Sequence, residues 1–213
     1  MRITHLGHAA VLVEAADRRL LFDPGNFSTA WHDATDLDAI FVTHLHADHI
    51  DMDHLPALLA ANPQACLHVE PQVAQTYELP TAQVFHPDSS VELGGVRIDA
   101  VGGLHAVIHR DIPRVGNVGL VVSAEGEPRF FHPGDALSAL PQGIDVAAIP
   151  AYGPWAAMKE TIDFARDLGA AQGFPIHEGL LNERGWQLVF GRLNDMTATK
   201  VLDLRDHQPW QPA

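Results

Sequence analysis

The segment Phe41-Val42-Thr43-His44-Leu45-His46-Ala47-Asp48-His49-Ile50-Asp51 places three histidines and an aspartate within six positions, 44 to 49. Imidazole nitrogen and carboxylate oxygen are donors that zinc accepts, and manganese or iron as well. The residues before the cluster are apolar and read as a strand. In an extended chain, positions two apart point the same way. His44 and His46 can therefore reach one ion together. Asp48 and His49 fall where the chain leaves the strand, and can turn toward a neighbouring position. The bland alternative is a polar strand-to-helix turn, and so dense a set of ligand types on an apolar strand argues against it.

One local cluster does not complete a two-metal site, so distant donors are needed. Three candidates each follow an apolar run. His105 comes after Val96–Val101 and Gly102-Gly103-Leu104, Asp135 after Arg129–His132 and Pro133-Gly134, and His177 after Phe174-Pro175-Ile176. Each would sit where a sheet edge meets a loop, the usual place for active-site groups. Taken singly, each reads as an ordinary turn residue.

Taken in order, the series His44-x-His46-x-Asp48-His49, His105, Gly134-Asp135 and His177 resembles the metallo-β-lactamase superfamily. Thr4-His5-Leu6-Gly7-His8-Ala9 and the Leu21-Phe22-Asp23-Pro24 turn are similar to its small branch of metal-dependent hydrolases related to ascorbate-6-phosphate lactonases. The resemblance runs from Arg2 to about Leu180. It implies an α/β (α+β) fold, a four-layer αββα sandwich with metals at one edge of two sheets; the length of 213 residues, 46% of them apolar, suits one domain over residues 1–213. The resemblance implies that His44, His46 and His105 hold a first divalent metal, that Asp48, His49 and His177 hold a second, and that Asp135 bridges both. Zinc is the expected ion, with manganese or iron as alternatives. Some β-lactamase subgroups place a cysteine in the second site, where this chain has Asp48 and His49. Cys66, the single cysteine, lies in a separate strand and reads as a small apolar residue.

The implied reaction is hydrolysis by a hydroxide shared between two cations, with Asp48 both binding metal and orienting the nucleophile or taking its proton. The expected substrate is a small-molecule ester, lactone or amide, which could carry a phosphate. The competing readings are a phosphodiesterase acting on a phosphodiester or nucleic acid, and a non-catalytic metal sensor. Three further residues invite roles around the metals. His8 could touch substrate or act as a general acid, or be a turn histidine bonded to backbone. Asp23 could orient a ligand histidine from behind, or be an Asp-Pro turn. His109, with Arg110, could face substrate if its loop covers the metals. The aromatics of Asn26–Trp31 and Tyr152–Trp155 could wall a pocket or simply pack.

The elements that must position these groups are mostly short strands. Eleven runs qualify: Arg2–Leu6, Ala9–Ala15, Arg19–Phe22, Ala39–Thr43, Ala65–Val69, Val91–Leu93, Val96–Val101, Val118–Ser123, Arg129–His132, Asp145–Ile149 and Gly173–Ile176. Helical spacing is clearest over Asp51–Ala61 and Trp155–Leu168, and weaker over Pro71–Tyr77 and Gly185–Leu193. So many strands with few helices predict two sheets packed on each other with helices outside. The stretch after Asp195 reads as a short, poorly ordered end.

Composition narrows the partners. Lys and Arg number 13 against 27 Asp and Glu, a formal net charge of −14, which disfavours a nucleic-acid binder. One cysteine excludes an internal disulfide and a cysteine-rich zinc module. No signal-like or membrane-length apolar run is visible, so a cytoplasmic protein with a small-molecule substrate and no membrane partner is expected. The resemblance also implies a possible homo-oligomer.

Overall fold

The computed structural model describes all of residues 1–213. Its first sheet holds β1 (Arg2–His5), β2 (Val11–Ala15), β3 (Arg18–Phe22), β4 (Ala39–Val42), β5 (Cys66–Val69) and β6 (Gln83–Val84), side by side in chain order. The second holds β7 (Ser90–Leu93), β8 (Val96–Gly102), β9 (Val118–Ala124), β10 (Phe130–His132), β11 (Val146–Pro150), β12 (Gln172–Ile176) and β13 (Lys200–Val201), also in chain order. Each sheet begins as an antiparallel meander and becomes parallel from β3 or β10 onward. The two strands beyond the sequence reading, β6 and β13, have two residues each, too few to show a period.

Side-chain alternation distributes the apolar residues over three layers of core. In β4, Ala39 and Phe41 face the other sheet, while Ile40 and Val42 face outward onto α1 (Leu55–Ala61) and α2 (Pro71–Thr76). In β11, Val146 and Ala148 point inward. Ala147 and Ile149 point to α3 (Met158–Leu168) and α4 (Glu183–Met196). The result is the αββα sandwich, and strands covered on both faces read as continuous apolar runs. Phe41 stacks on Phe22 at 5.4 Å in the central layer. Burying such a ring contributes about 1.5–3 kcal/mol, which pins the register of β4 and so the direction in which the chain leaves it.

Two helices start later than their apolar spacing suggests. Residues 51–54 form a turn because Asp51 spends its carboxylate locally, accepting from Asp53 N at 2.9 Å and lying 2.7 Å from His54 Nδ1. Residues 153–156 close a bridge between Gly153 and Ala156, and α3 opens after Ala157, whose N–H donates to Glu160. Gly169, at φ +66°, ends that helix in the left-handed conformation a C-terminal cap favours. In contrast, α4 is longer than expected because Asn182 caps it at Gly185 N, 3.0 Å away. The end of the chain is not loose: Ile3 and Trp210 exchange two backbone hydrogen bonds of 2.8 Å. No helix is long and apolar enough to cross a membrane.

Candidate metal centre

Strands β1, β3 and β4 of one sheet and β8, β10 and β12 of the other run to a common rim with their carboxyl ends. Two backbone bonds stitch the sheets there, Val118 N to Thr43 O and His177 N to His8 O, each 2.9 Å. The chain turns sharply at this rim. His8, Asp23 and His177 have φ of 52°, 47° and 64°, a region non-glycine residues enter rarely. Glycine is obligatory at Gly25: a Cβ there would lie 1.8 Å from Asp48 O, so only a bare backbone lets the Asp23 turn seat against the histidine motif.

Two clusters of donors result. His44, His46, His105 and Asp135 form one, and His8, Asp48, His49 and His177 the other, with the donor atoms of each within 4.8 Å of one another. Asp135 stands between them. Its Oδ2 lies 3.3 Å from His105 Nε2 and 3.1 Å from His177 Nε2, and its Oδ1 lies 3.1 Å from His49 Nε2. Every residue the sequence reading gave as a ligand is therefore brought to one place. His8 joins them, with Nε2 3.0 Å from Asp48 Oδ2.

His44 Nε2 and His46 Nδ1 lie 3.0 Å apart and His8 Nε2 meets Asp48, but four of the converging atoms are left over. His49 Nε2, His105 Nε2, His177 Nε2 and Asp135 Oδ1 are all buried and have no hydrogen-bond partner. Buried polar atoms are ordinarily paired, since leaving one unpaired is costly. Several unpaired donors aimed at one point are what a cation site requires, and the mixed imidazole and carboxylate set fits divalent zinc, manganese or iron.

Groups behind the donors fix their orientation. The buried Asp23 accepts from Thr43 N at 2.8 Å, from Thr43 Oγ1 at 2.7 Å and from His49 Nδ1 at 2.7 Å, which turns His49 Nε2 toward the centre. His105 Nδ1 donates to Ala106 O at 2.7 Å, leaving Nε2 as its inward atom. Asn117 Oδ1 accepts from Asp135 N at 2.9 Å, and its amide donates to Pro133 O, clamping the turn that carries Asp135. Trp155 Nε1 donates to Asp135 Oδ2 at 3.0 Å, and its ring lies 5.8 Å from both His105 and His177. Glu178 accepts from His8 N at 2.8 Å.

The electrostatics separate the clusters. Burial holds His44 well below the usual histidine range and lowers His46 too, which favours the neutral imidazole at both. At His49 and His177 burial acts in the same direction but is overcome, by Asp135 and Asp23 at His49 and by Asp135 and Asp48 at His177. His177 rises to about 9. Burial would raise Asp135 and Asp48, yet the surrounding histidines hold both carboxylates well below their usual range.

Not every candidate arrives. His109 is exposed, its Nδ1 accepting from Asp111 N at 3.2 Å, and it shares no hydrogen bond or ion pair with the cluster. Of the aromatics read as possible walls, Phe27 lies 4.8 Å from the His8 ring, and Trp31 is fully buried in the outer core. Asn117, Trp155 and Glu178 escaped the sequence reading as partners of the donors. Glu178 follows His177 directly, a signal that was available, whereas nothing local marks Asn117.

A two-sheet sandwich with paired histidine and aspartate clusters at one rim defines a metal-site protein of the metallo-β-lactamase type. Residues 2–177 match the family described as the Beta-lactamase superfamily domain, and the chain belongs to that family. The match ends on His177, the last of the ordered donors. The chain is 42% identical over 200 residues to Protein Rv0786c of Mycobacterium tuberculosis, covering 93% of this chain and 94% of that one. It is 32% identical over 173 residues to a UPF0173 metal-dependent hydrolase of Opitutus terrae, covering 70% and 72%. In fold it is similar to the metallo-beta-lactamase fold protein YhfI of Bacillus subtilis, with a TM-score of 0.75 at 15% identity over 99% and 98% of the two chains.

Proposed function

We propose that this chain, a metal-dependent hydrolase of the metallo-β-lactamase superfamily, works with two divalent cations on a small-molecule ester, lactone or amide. The observation that carries the reading is the set of buried, unpaired donor atoms facing one another across Asp135. His44, His46 and His105 would hold one cation, Asp48, His49 and His177 the other, and Asp135 both. Zinc is the favoured ion. Two such cations would make water a nucleophile near neutral pH and polarise the bond under attack.

The chain's own groups supply the orientation. Asp48 is partly exposed and meets His8, His49 and His177 through Oδ2 alone, so Oδ1 is placed to accept a hydrogen bond from the attacking water. His8 Nε2, 3.0 Å from that carboxylate, is positioned to pass a proton to a leaving group. Trp155 and Asn117 keep Asp135 from rotating.

A small substrate is favoured by the surroundings. The centre is flanked by a cleft of ≈ 400 Å³ beside His8, Phe27 and His207, and by one of ≈ 420 Å³ beside Trp155 and Phe164. Small-molecule sites are of about this size, roughly 300–1,000 Å³. The nearby cations are few and engaged: Arg114 donates to His105 O, and Arg205 pairs with Asp203 and Glu183. A polynucleotide track needs many free ones.

The test is metal analysis with turnover on a lactone, an aryl ester and bis(p-nitrophenyl) phosphate. Two equivalents of metal at the main centre with turnover of the lactone or ester support the proposal. Turnover of the phosphodiester alone moves the reading to a phosphodiesterase. Two equivalents with no turnover on any of them favour a sensor.

A further inference from the structure

We propose that His32, Asp51 and His54 form a third cation site, separate from both clusters of the main centre and suited to a zinc-class divalent ion. One donor atom from each of the three lies within 4.8 Å of the others. His32 comes from the loop after β3, while Asp51 and His54 come from the turn before α1. None of the three takes part in either cluster described above.

The local geometry asks for a partner it does not have. Asp51 is buried, at 6% exposure, and its Oδ1 is fixed by Asp53 N at 2.9 Å. Its Oδ2 lies 2.7 Å from His54 Nδ1. The rings of His32 and His54 stack at 4.1 Å, only 18° from parallel. His32 Nε2 is buried with no hydrogen-bond partner, a second sign that something should meet it. The ring cannot easily turn away, because Trp31 stands edge-on to it at 4.4 Å. Trp31 is itself fully buried and donates to Gly25 O at 3.0 Å.

Two imidazoles and one carboxylate form a borderline donor set, which selects zinc-class ions over calcium or magnesium. A cation entering here takes the place of the proton between Asp51 Oδ2 and His54 Nδ1. Three protein donors leave its remaining coordination to water. His54, with 53% of its side chain exposed, is the adjustable ligand and can swing off the stack to complete the set.

The consequence is mechanical. The loop carrying His32 also carries Phe27, which lies 4.8 Å from the His8 ring, and His8 in turn meets Asp48. The same turn is already tied to this region by Asp51 N, which donates to Pro24 O at 2.9 Å. A cation bound here staples the loop that walls one cleft of the main centre to the start of α1.

Equilibrium dialysis of the full chain against buffered free zinc tests this. The wild type is expected to hold one more zinc per chain than His54→Ala and than His32→Ala. His54→Ala is the primary variant because its half-exposed side chain supports no core packing, and circular dichroism checks its fold. The quantity read is the difference, so the proposal is independent of the total at the main centre. A difference of one with a wild-type total of two would keep this site and overturn the dinuclear reading. Equal zinc in wild type and His54→Ala over the whole range of free zinc would overturn this site. Hydrogen exchange gives a second readout. Amides of residues 26–33 should slow on adding zinc to the wild type and not to His54→Ala, and identical exchange in the two would also overturn the proposal.

Discussion

The two donor clusters use the same residue types and are held by opposite means. Burial holds His44 and His46 toward the neutral form, and His105 is aimed by a backbone carbonyl. At His49 and His177 the facing carboxylates raise the pKa, a negative field that would equally draw a cation onto their Nε2 atoms, and His8 is tethered through its backbone to Glu178. The first cluster therefore depends on shape and the second on charge. Asp135 belongs to both, and the structure holds it from a third direction through Trp155 and Asn117. A charge-held cluster should respond to isosteric changes that leave shape alone, and a shape-held cluster should not.

The largest effect should come from breaking what the clusters share. Asp135→Ala is expected to lose both metal equivalents and at least about 1,000-fold in turnover, roughly 4 kcal/mol of transition-state stabilisation. Metal analysis beside steady-state kinetics reads it, and retention of both main-centre equivalents would remove Asp135 from its proposed bridging role. Next, His105→Ala should lose one equivalent while His49 and His177 keep theirs. Simultaneous loss of both would mean that the clusters are not separable.

Asp23→Asn tests the charge-held side. It keeps the size of a fully buried side chain but removes the carboxylate that His49 Nδ1 meets. Changes behind a ligand of this kind cost about 10–100-fold in metal affinity. A competition titration should show that loss in one site only, and a uniform loss in both would erase the distinction drawn above. Trp155→Phe keeps the ring and removes one hydrogen bond to Asp135. A bond to a charged group is worth about 1.5–3 kcal/mol, so turnover should fall by about tenfold to a hundredfold. The smallest effect is expected at the exposed His109, where replacement by alanine should leave turnover within about twofold of wild type, as surface changes usually do. A larger fall would return its loop to the substrate cleft.

Particular residues show why part of this was legible in the sequence. His44 and His46 are two apart on a strand, and their convergence follows from the pleat alone. His105, Asp135 and His177 are far apart in the chain, but each follows an apolar run, so parallel strands ending at one rim deliver them together. The start of α1 was misjudged because Asp51 suits a helix N-terminus by type. Its carboxylate is spent instead on Asp53 and His54, a choice made by local geometry. The tail was misjudged because pairing of Trp210 with Ile3 has no local signature.

What the sequence determined by itself was the inventory and order of donors, since strand periodicity and turn punctuation are short-range properties. Only the tertiary structure decided which donors share a cluster and what stands behind them. It put His8 beside Asp48, Asp23 behind His49, Trp155 on Asp135 and His32 against His54. Each of these pairs joins residues 20 or more positions apart, so its geometry exists only once strands distant in the sequence have paired and brought the loops at their ends together.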